Sequence, residues 1–253
     1  MAPTTDVRTS PNHAIGGGGP RHAPVESARL DIDPAIIGSW HQPLRIVSAP
    51  LRRRWLDVVF EGEGNVPVDG PAILAANHLS FIDSPLLMTG LERPVVFLGK
   101  AEYMVNPVAR HLFPRLGMIP VDRSGRGVSG ALTRAGDVLR DGGLLGIFPE
   151  GTRSRDGRLG CGQLGAAHLA LTTGAPIVPL GIVGSDAAMP VGQRIPSRGR
   201  RVVVRVGAPI DLGPYRALPR TRRTKRALTD EVMASIAQLS GQSVAVESAD
   251  RSS

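Results

Sequence analysis

A histidine and an aspartate with four residues between them, His78 and Asp83 in Asn77-His78-Leu79-Ser80-Phe81-Ile82-Asp83-Ser84-Pro85, are the residues best placed for chemistry in this chain. On a continuous helix that spacing would point them apart. The flanking residues indicate a turn instead. Ala72-Ile73-Leu74-Ala75-Ala76 is an apolar run of the kind that forms a buried parallel strand. Pro85-Leu86-Leu87-Met88 opens a helix, with Asp83 or Ser84 as N-cap and proline in the first turn. Open α/β sheets bind ligands at the carboxyl ends of their strands, where this turn would lie. Across it Asp83 can fix the tautomer of His78 and free the other ring nitrogen to act as a base. A helix cap beside a satisfied loop histidine fits the same nine residues, so the turn alone leaves both readings open.

Further polar residues close other expected strands: Lys100, Arg123, and Glu150 with Arg153. If those strands are parallel and adjacent, the residues meet His78 and Asp83 on one rim. One base, one orienting carboxylate and up to three cations suit a substrate with a hydroxyl to activate and a phosphate to hold. Arginine grips phosphate bidentately, and charge-assisted bonds are about twice as strong as neutral ones. Glu150 would pair an arginine or accept a bond from a substrate hydroxyl. Gly151 would let the backbone approach a ligand closely.

The elements that must carry these residues follow in order. Asp57 to Glu61 is expected as a strand, followed by a Gly/Pro-rich turn. Val95 to Leu98 and Met118 to Val121 are expected as strands, with a short helix from about Glu102 to Leu112 between them. Ser129 to Arg140 has helical spacing and is stopped by Gly142 and Gly143. Leu144 to Phe148 is a strand, Leu164 to Thr173 a helix, and Ile177 to Val183 a strand broken by Pro179. Arg201 to Val206 alternates arginine and valine like a half-exposed strand near an edge, and Leu218 to Leu239 is a last helix. Alternating strands and helices predict an α/β fold, a single domain whose mixed, mostly parallel sheet is flanked by helices.

The expected boundaries are a disordered tail over 1–35, a short amphipathic segment over 36–56, the folded domain over 57–240 and a flexible tail over 241–253. In the second segment Pro43 and Pro50 predict short helical pieces rather than one helix. Its tryptophans beside Arg52, Arg53 and Arg54 suit either an interfacial segment among lipid headgroups or a helix packed on its own domain.

A formal charge of +8, nearly all of the positive charge being arginine, favours anionic partners. The lone Cys161 excludes an intramolecular disulfide and fits a reducing compartment. No apolar run approaches the ~18 residues of a spanning helix, and the N-terminus lacks a signal-peptide core. The expectation is a cytoplasmic protein, peripheral on the inner face of the plasma membrane. Scattered histidines without ligand spacing predict no metal, and the absence of a Gly-x4-Gly-Lys run excludes a phosphate-loop nucleotide enzyme.

With these residues in view, the chain resembles the glycerolipid acyltransferases of the lysophosphatidate acyltransferase type, over residues 57 to about 210. His78 to Asp83 matches the His-x4-Asp signature. Gly117 to Arg123 is similar to the second block of the family, Phe148 to Ser154 to the third and Ala175 to Leu180 to the fourth. Gln163 and Gly165 depart from the family's usual Lys-x-Gly, and the segment 36–56 replaces a longer N-terminal hairpin.

The resemblance implies the glycerol-3-phosphate acyltransferase-like fold and an O-acyltransferase acting on the free hydroxyl of 1-acyl-sn-glycerol-3-phosphate. His78 and Asp83 would be catalytic. Lys100, Arg123, Glu150, Gly151, Thr152 and Arg153 would bind the acceptor, and Pro179 would lie on the acyl-donor side. Acyl-CoA or acyl-carrier protein would be co-substrate, with no other cofactor. Another lysophospholipid, glycerol-3-phosphate or a glycolipid as acceptor, and a non-catalytic lipid-binding module, are the alternatives. The arginine-rich stretch from Arg194 to Arg226 has only Tyr215 for base stacking and no recognition-helix, zinc or RNP pattern. It therefore fits docking to an anionic membrane surface, docking to the acidic acyl donor, or a plain solvated basic face, and not nucleic-acid binding.

Overall fold

The computed structural model describes residues 38–100, 107–121, 127–193 and 195–244. The tail expected over 1–35, Arg123 and the last nine residues lie outside the described residues.

The chain runs α1 (His41–Trp55), β1 (Val58–Glu61), β2 (Ala72–Ala76), α2 (Asp83–Gly90), β3 (Val95–Lys100), α3 (Pro107–Arg115), β4 (Met118–Val121), α4 (Gly127–Arg140) and β5 (Leu144–Ile147). It continues with α5 (Gly165–Thr173), β6 (Ile177–Val183), the short α6 (Ser185–Ala188), β7 (Val202–Val206), the short α7 (Gly213–Arg216) and α8 (Arg222–Ser240). The seven strands form one sheet in the order β1-β7-β6-β2-β5-β3-β4. Only the β6–β7 pair is antiparallel. This is the mixed, mostly parallel α/β sheet that the alternation of elements predicts.

Successive side chains of a strand point to opposite faces, so each central strand feeds two cores. From β2, Ala72, Leu74 and Ala76 join α2 and the apolar residues of β7 on one face. Ile73 and Ala75 join α4, α5 and α8 on the other. A strand buried on both sides needs the unbroken apolar run that β2 has.

Several local expectations are corrected. Within the segment 36–56, His41–Trp55 form one helix, α1, despite Pro43 and Pro50. Pro43 sits in the first turn, where an N–H has no intrahelical partner to lose, so only Pro50 removes a ladder bond. The helix packs on α2 and is anchored by a hydrogen bond between His41 Nε2 and the Leu91 carbonyl at 3.1 Å.

Pro179 does not break β6. Its carbonyl accepts from Gly207 N–H at 2.9 Å, on the side away from β2. The proline nitrogen faces that same side, so the β2–β6 ladder loses no donor there. β7 lies near the edge as expected, second in the sheet, between the edge strand β1 and β6. Its alternation records two faces, not two neighbours.

The start of the expected flexible tail is fastened down. Leu159 N–H donates to the Ser243 carbonyl at 3.0 Å, and Val244 bridges Leu159. Apolar Leu159 is fully buried, which anchors the contact.

Part of the basic C-terminal stretch is tied into the fold. Arg205 pairs with Glu61 at 3.1 Å and donates to the Leu239 carbonyl at 3.0 Å. Arg216 and Arg226 donate to the carbonyls of Gly174 and Gly162.

Candidate active site

β2, β5, β3 and β4 are adjacent and parallel, so their carboxyl ends form one rim. The chain leaves β2 at Asn77, enters the turn, and starts α2 at Asp83, with Pro85 in the first turn. His78 Nδ1 lies 2.9 Å from Asp83 Oδ2. The same oxygen accepts Leu79 N–H and Ser80 N–H, both at 2.8 Å. Asp83 therefore does not cap its own helix. It reaches back over the turn and binds the ring and two backbone donors at once. A carboxylate oxygen only accepts, so Nδ1 carries the proton and Nε2 keeps its lone pair.

The ring is held from a second side. His78 stacks on Phe148 with centroids 3.9 Å apart and planes 9° apart, and Phe148 in turn stacks on Phe97 at 5.4 Å. Room for Phe97 comes from Gly146, where an added Cβ would stand 2.2 Å from the Phe97 ring.

The backbone of His78 is gripped by the loop after β5. Glu150 Oε1 accepts His78 N–H at 2.9 Å, Glu150 Oε2 accepts Gly160 N–H at 2.9 Å, and Ser154 N–H donates to the His78 carbonyl at 2.8 Å. Burial pushes the Glu150 carboxyl above its ordinary value of 4.5, and the bonds from Gly160 and His78 pull the other way. Both oxygens of Glu150 bind backbone. The sequence expectation of an arginine partner or a substrate hydroxyl is replaced by this clamp on His78 itself.

In front of the ring opens a cavity of about 800 Å³. His78, Gly151, Thr152 and Arg153 stand on its lining, with Phe81, Ser84 and Gln163. Much of the remaining lining is apolar: Met88, Leu98, Gly99, Met118, Ala131, Leu132 and Gly146. Gly151 has a left-handed backbone at φ +71°, which favours glycine there. Arg153 is half-buried and belongs to the cavity lining.

Of the remaining expected site residues, Lys100 ends β3 opposite Val121 of β4, on the same rim. The Lys100 side chain and the whole of Arg123 are outside the described residues. Pro179 is buried in β6 opposite Ala75 and is not on the cavity lining.

Three contributors escaped the sequence reading. Phe148 was visible only as a member of its block, with nothing to show that its ring lies under His78. Asn77 stood in the opening motif without a role. It is fully buried, donates to the Ile182 carbonyl at 2.8 Å, and accepts Ile182 N–H at 2.7 Å. Gly160 N–H, the second donor to Glu150, carries no side-chain signal at all.

A family model described as Acyltransferase matches residues 57–183. The chain is 37% identical over 134 residues to the 1-acyl-sn-glycerol-3-phosphate acyltransferase LPAT1, chloroplastic, of Arabidopsis thaliana, covering 52% of this chain and 37% of that protein. It is 28% identical over 177 residues to the 1-acyl-sn-glycerol-3-phosphate acyltransferase of Bacillus subtilis, covering 69% and 84%. Against the plant relatives the chain thus spans well under half of their length. The crystal structure of the 1-acyl-sn-glycerophosphate acyltransferase PlsC from Thermotoga maritima matches with TM-score 0.59 and 29% identity, covering 73% of this chain and 72% of that one.

Proposed function

The chain belongs to the acyltransferase family, and from that premise we propose that it moves a fatty acyl group from a thioester to the free hydroxyl of 1-acyl-sn-glycerol-3-phosphate, giving phosphatidic acid. The observation that carries the reading is His78 beside Asp83 at 2.9 Å on the wall of a largely apolar cavity.

His78 Nε2 takes the proton of the acceptor hydroxyl as its oxygen attacks the thioester carbonyl. The tetrahedral intermediate collapses, the C–S bond breaks, and the imidazolium returns the proton to the departing thiolate. Asp83 holds the tautomer and stabilises the imidazolium. No acyl-enzyme is formed, which agrees with the absence of a Gly-x-Ser-x-Gly turn from the sequence. Base catalysis of this kind supplies about 10²–10⁴-fold, and holding the two substrates in line supplies much of the rest.

Arg153, together with Lys100 at the end of β3 and Arg123, which follows β4 in the sequence, holds the acceptor phosphate, and Gly151 and Thr152 shape its approach. The apolar part of the lining takes acyl chain. Acyl-CoA or acyl-carrier protein serves as co-substrate and no resident cofactor is needed.

α1 faces a lipid surface. Ile46, Val47 and Leu51 are 69%, 72% and 57% exposed, among Arg45, Arg53 and Arg54. Apolar and cationic side chains together suit an anionic interface. No helix of the described residues is long and apolar enough to cross a membrane. On the strength of that exposed face of α1, we infer a cytoplasmic protein held peripherally on the inner face of the plasma membrane.

A panel of 1-acyl-sn-glycerol-3-phosphate, a second lysophospholipid, glycerol-3-phosphate and a glycolipid tests the proposal, scored by thiol release and product mass. Thiol release dependent on 1-acyl-sn-glycerol-3-phosphate, with phosphatidic acid as product, is expected. A preference for another acceptor would move the substrate assignment. No release with any of them would leave a lipid-binding module.

A further inference from the structure

The described chain ends on a turn that reaches back to the histidine. α8 closes at Gly241 with a left-handed cap, φ +73°. Its last turn lies directly on β6, because Gly181 has no side chain: a Cβ there would stand 2.4 Å from the Leu239 carbonyl carbon. Arg205 donates to the Leu239 carbonyl at 3.0 Å and holds the same turn from β7. The residue that this arrangement delivers to the rim is Gln242.

The side-chain amide of Gln242 has one acceptor and one donor group, and each has a partner. Its oxygen accepts Asn77 Nδ2–H at 2.7 Å, and its nitrogen donates to the Gly157 carbonyl at 2.8 Å. Asn77 is the residue immediately before His78. Gly157 lies in the loop whose Ser154 N–H binds the His78 carbonyl and whose Gly160 N–H binds the second oxygen of Glu150. The first oxygen of Glu150 binds His78 N–H. One amide thus ties the strand end that leads into His78 to the loop that grips both backbone groups of His78. Ser243 and Val244 reinforce the tie through Leu159.

We propose that Gln242 is a positioning residue for His78, acting through Asn77 and the loop 151–160 and touching no substrate. The proposal rests on the reading of His78 as the base. A base must sit within hydrogen-bond reach of its proton, and a displacement of about 1 Å from a distant change can cost about 10²-fold in rate. Gln242 and Asn77 therefore belong to the catalytic geometry although neither lines the cavity.

The test uses Gln242→Met in the full chain, which keeps the side chain's length and removes both bonds. Turnover is measured at a temperature where circular dichroism shows wild type and variant fully folded. kcat is expected to fall about 10- to 100-fold with acceptor KM little changed. Amide hydrogen exchange supplies a readout independent of activity, and the N–H groups of His78 and Gly160 are expected to exchange about tenfold faster. If Gln242→Met does not fold, Gln242→Glu takes its place, because it keeps the acceptor for Asn77 and loses the donor for Gly157.

A folded variant with wild-type kcat overturns the proposal, whatever its exchange. Lowered kcat with unchanged exchange at His78 and Gly160 overturns it too. Should wild type itself transfer no acyl group, the acyltransferase reading fails separately. The exchange comparison then still decides the brace, faster exchange upholding it and unchanged exchange overturning it.

Discussion

The turn from Asn77 to Asp83 and the loop from Pro149 to Gly160 each bring a buried carboxylate against His78, on different atoms and by different routes. Asp83 is five positions away and gathers three donors on a single oxygen, the ring N–H and two backbone N–H groups of its own turn. Its other oxygen is buried without a hydrogen-bond partner among the described residues. Glu150 is 72 positions away and divides its oxygens between the backbone of His78 and that of Gly160. The turn governs the state of the ring; the loop governs where the ring stands. A site that needs a defined tautomer and a defined place obtains them from separate parts of the chain.

That division can be broken by exchanging each carboxylate for its amide. Asp83→Asn removes the charge facing Nδ1 and should lower kcat by about 10²–10⁴-fold, measured by thiol release. A loss no larger than that of Glu150→Gln would erase the distinction between the two carboxylates. On the loop side, Arg153→Ala should raise the acceptor KM by about 10- to 100-fold, the value of a bond to a charged group, with kcat nearly kept. An unchanged KM would remove Arg153 from the phosphate site.

Glu150→Gln acts on position. An amide offers one acceptor oxygen, so either His78 N–H or Gly160 N–H loses its partner, at a cost of about 1–3 kcal/mol in denaturant unfolding. Its kcat should fall, by less than that of Asp83→Asn.

The smallest effect is one of pH. Burial raises the Glu150 carboxyl above 4.5, so the folded state binds that proton more tightly than the unfolded state. The stability this group contributes is complete below pH 4.5 and is lost as pH rises through the higher folded value. The unfolding free energy of wild type relative to Glu150→Gln should decline with pH across that window. A rising difference would contradict the assigned cause.

Much of this architecture is legible in the residues. The apolar run Ala72–Ala76, the glycines stopping α4 and Pro85 opening α2 place three of the site's supports. His78 and Asp83 are readable as a pair because their contact crosses only one turn. The role of Glu150 was not readable, because the N–H groups it binds belong to His78 and Gly160, and backbone donors leave no mark in composition. The same holds for β7. Its residues alternate in burial, with Val202, Val204 and Val206 covered, while its neighbours β1 and β6 are chosen by the path of the whole chain. Pro179 looked like a break because a proline costs a donor. Only the sheet shows that the donor would have faced away from β2. Gln242 stood in a polar tail whose sequence gives no sign of the turn that docks it.

The central claim is that His78 carries the proton of the acceptor hydroxyl. His78→Ala, compared with wild type in thiol release from acyl-CoA with 1-acyl-sn-glycerol-3-phosphate present, tests it most directly. The account predicts that release falls to background while circular dichroism and melting remain close to wild type. Near-normal release from a folded His78→Ala protein would contradict it.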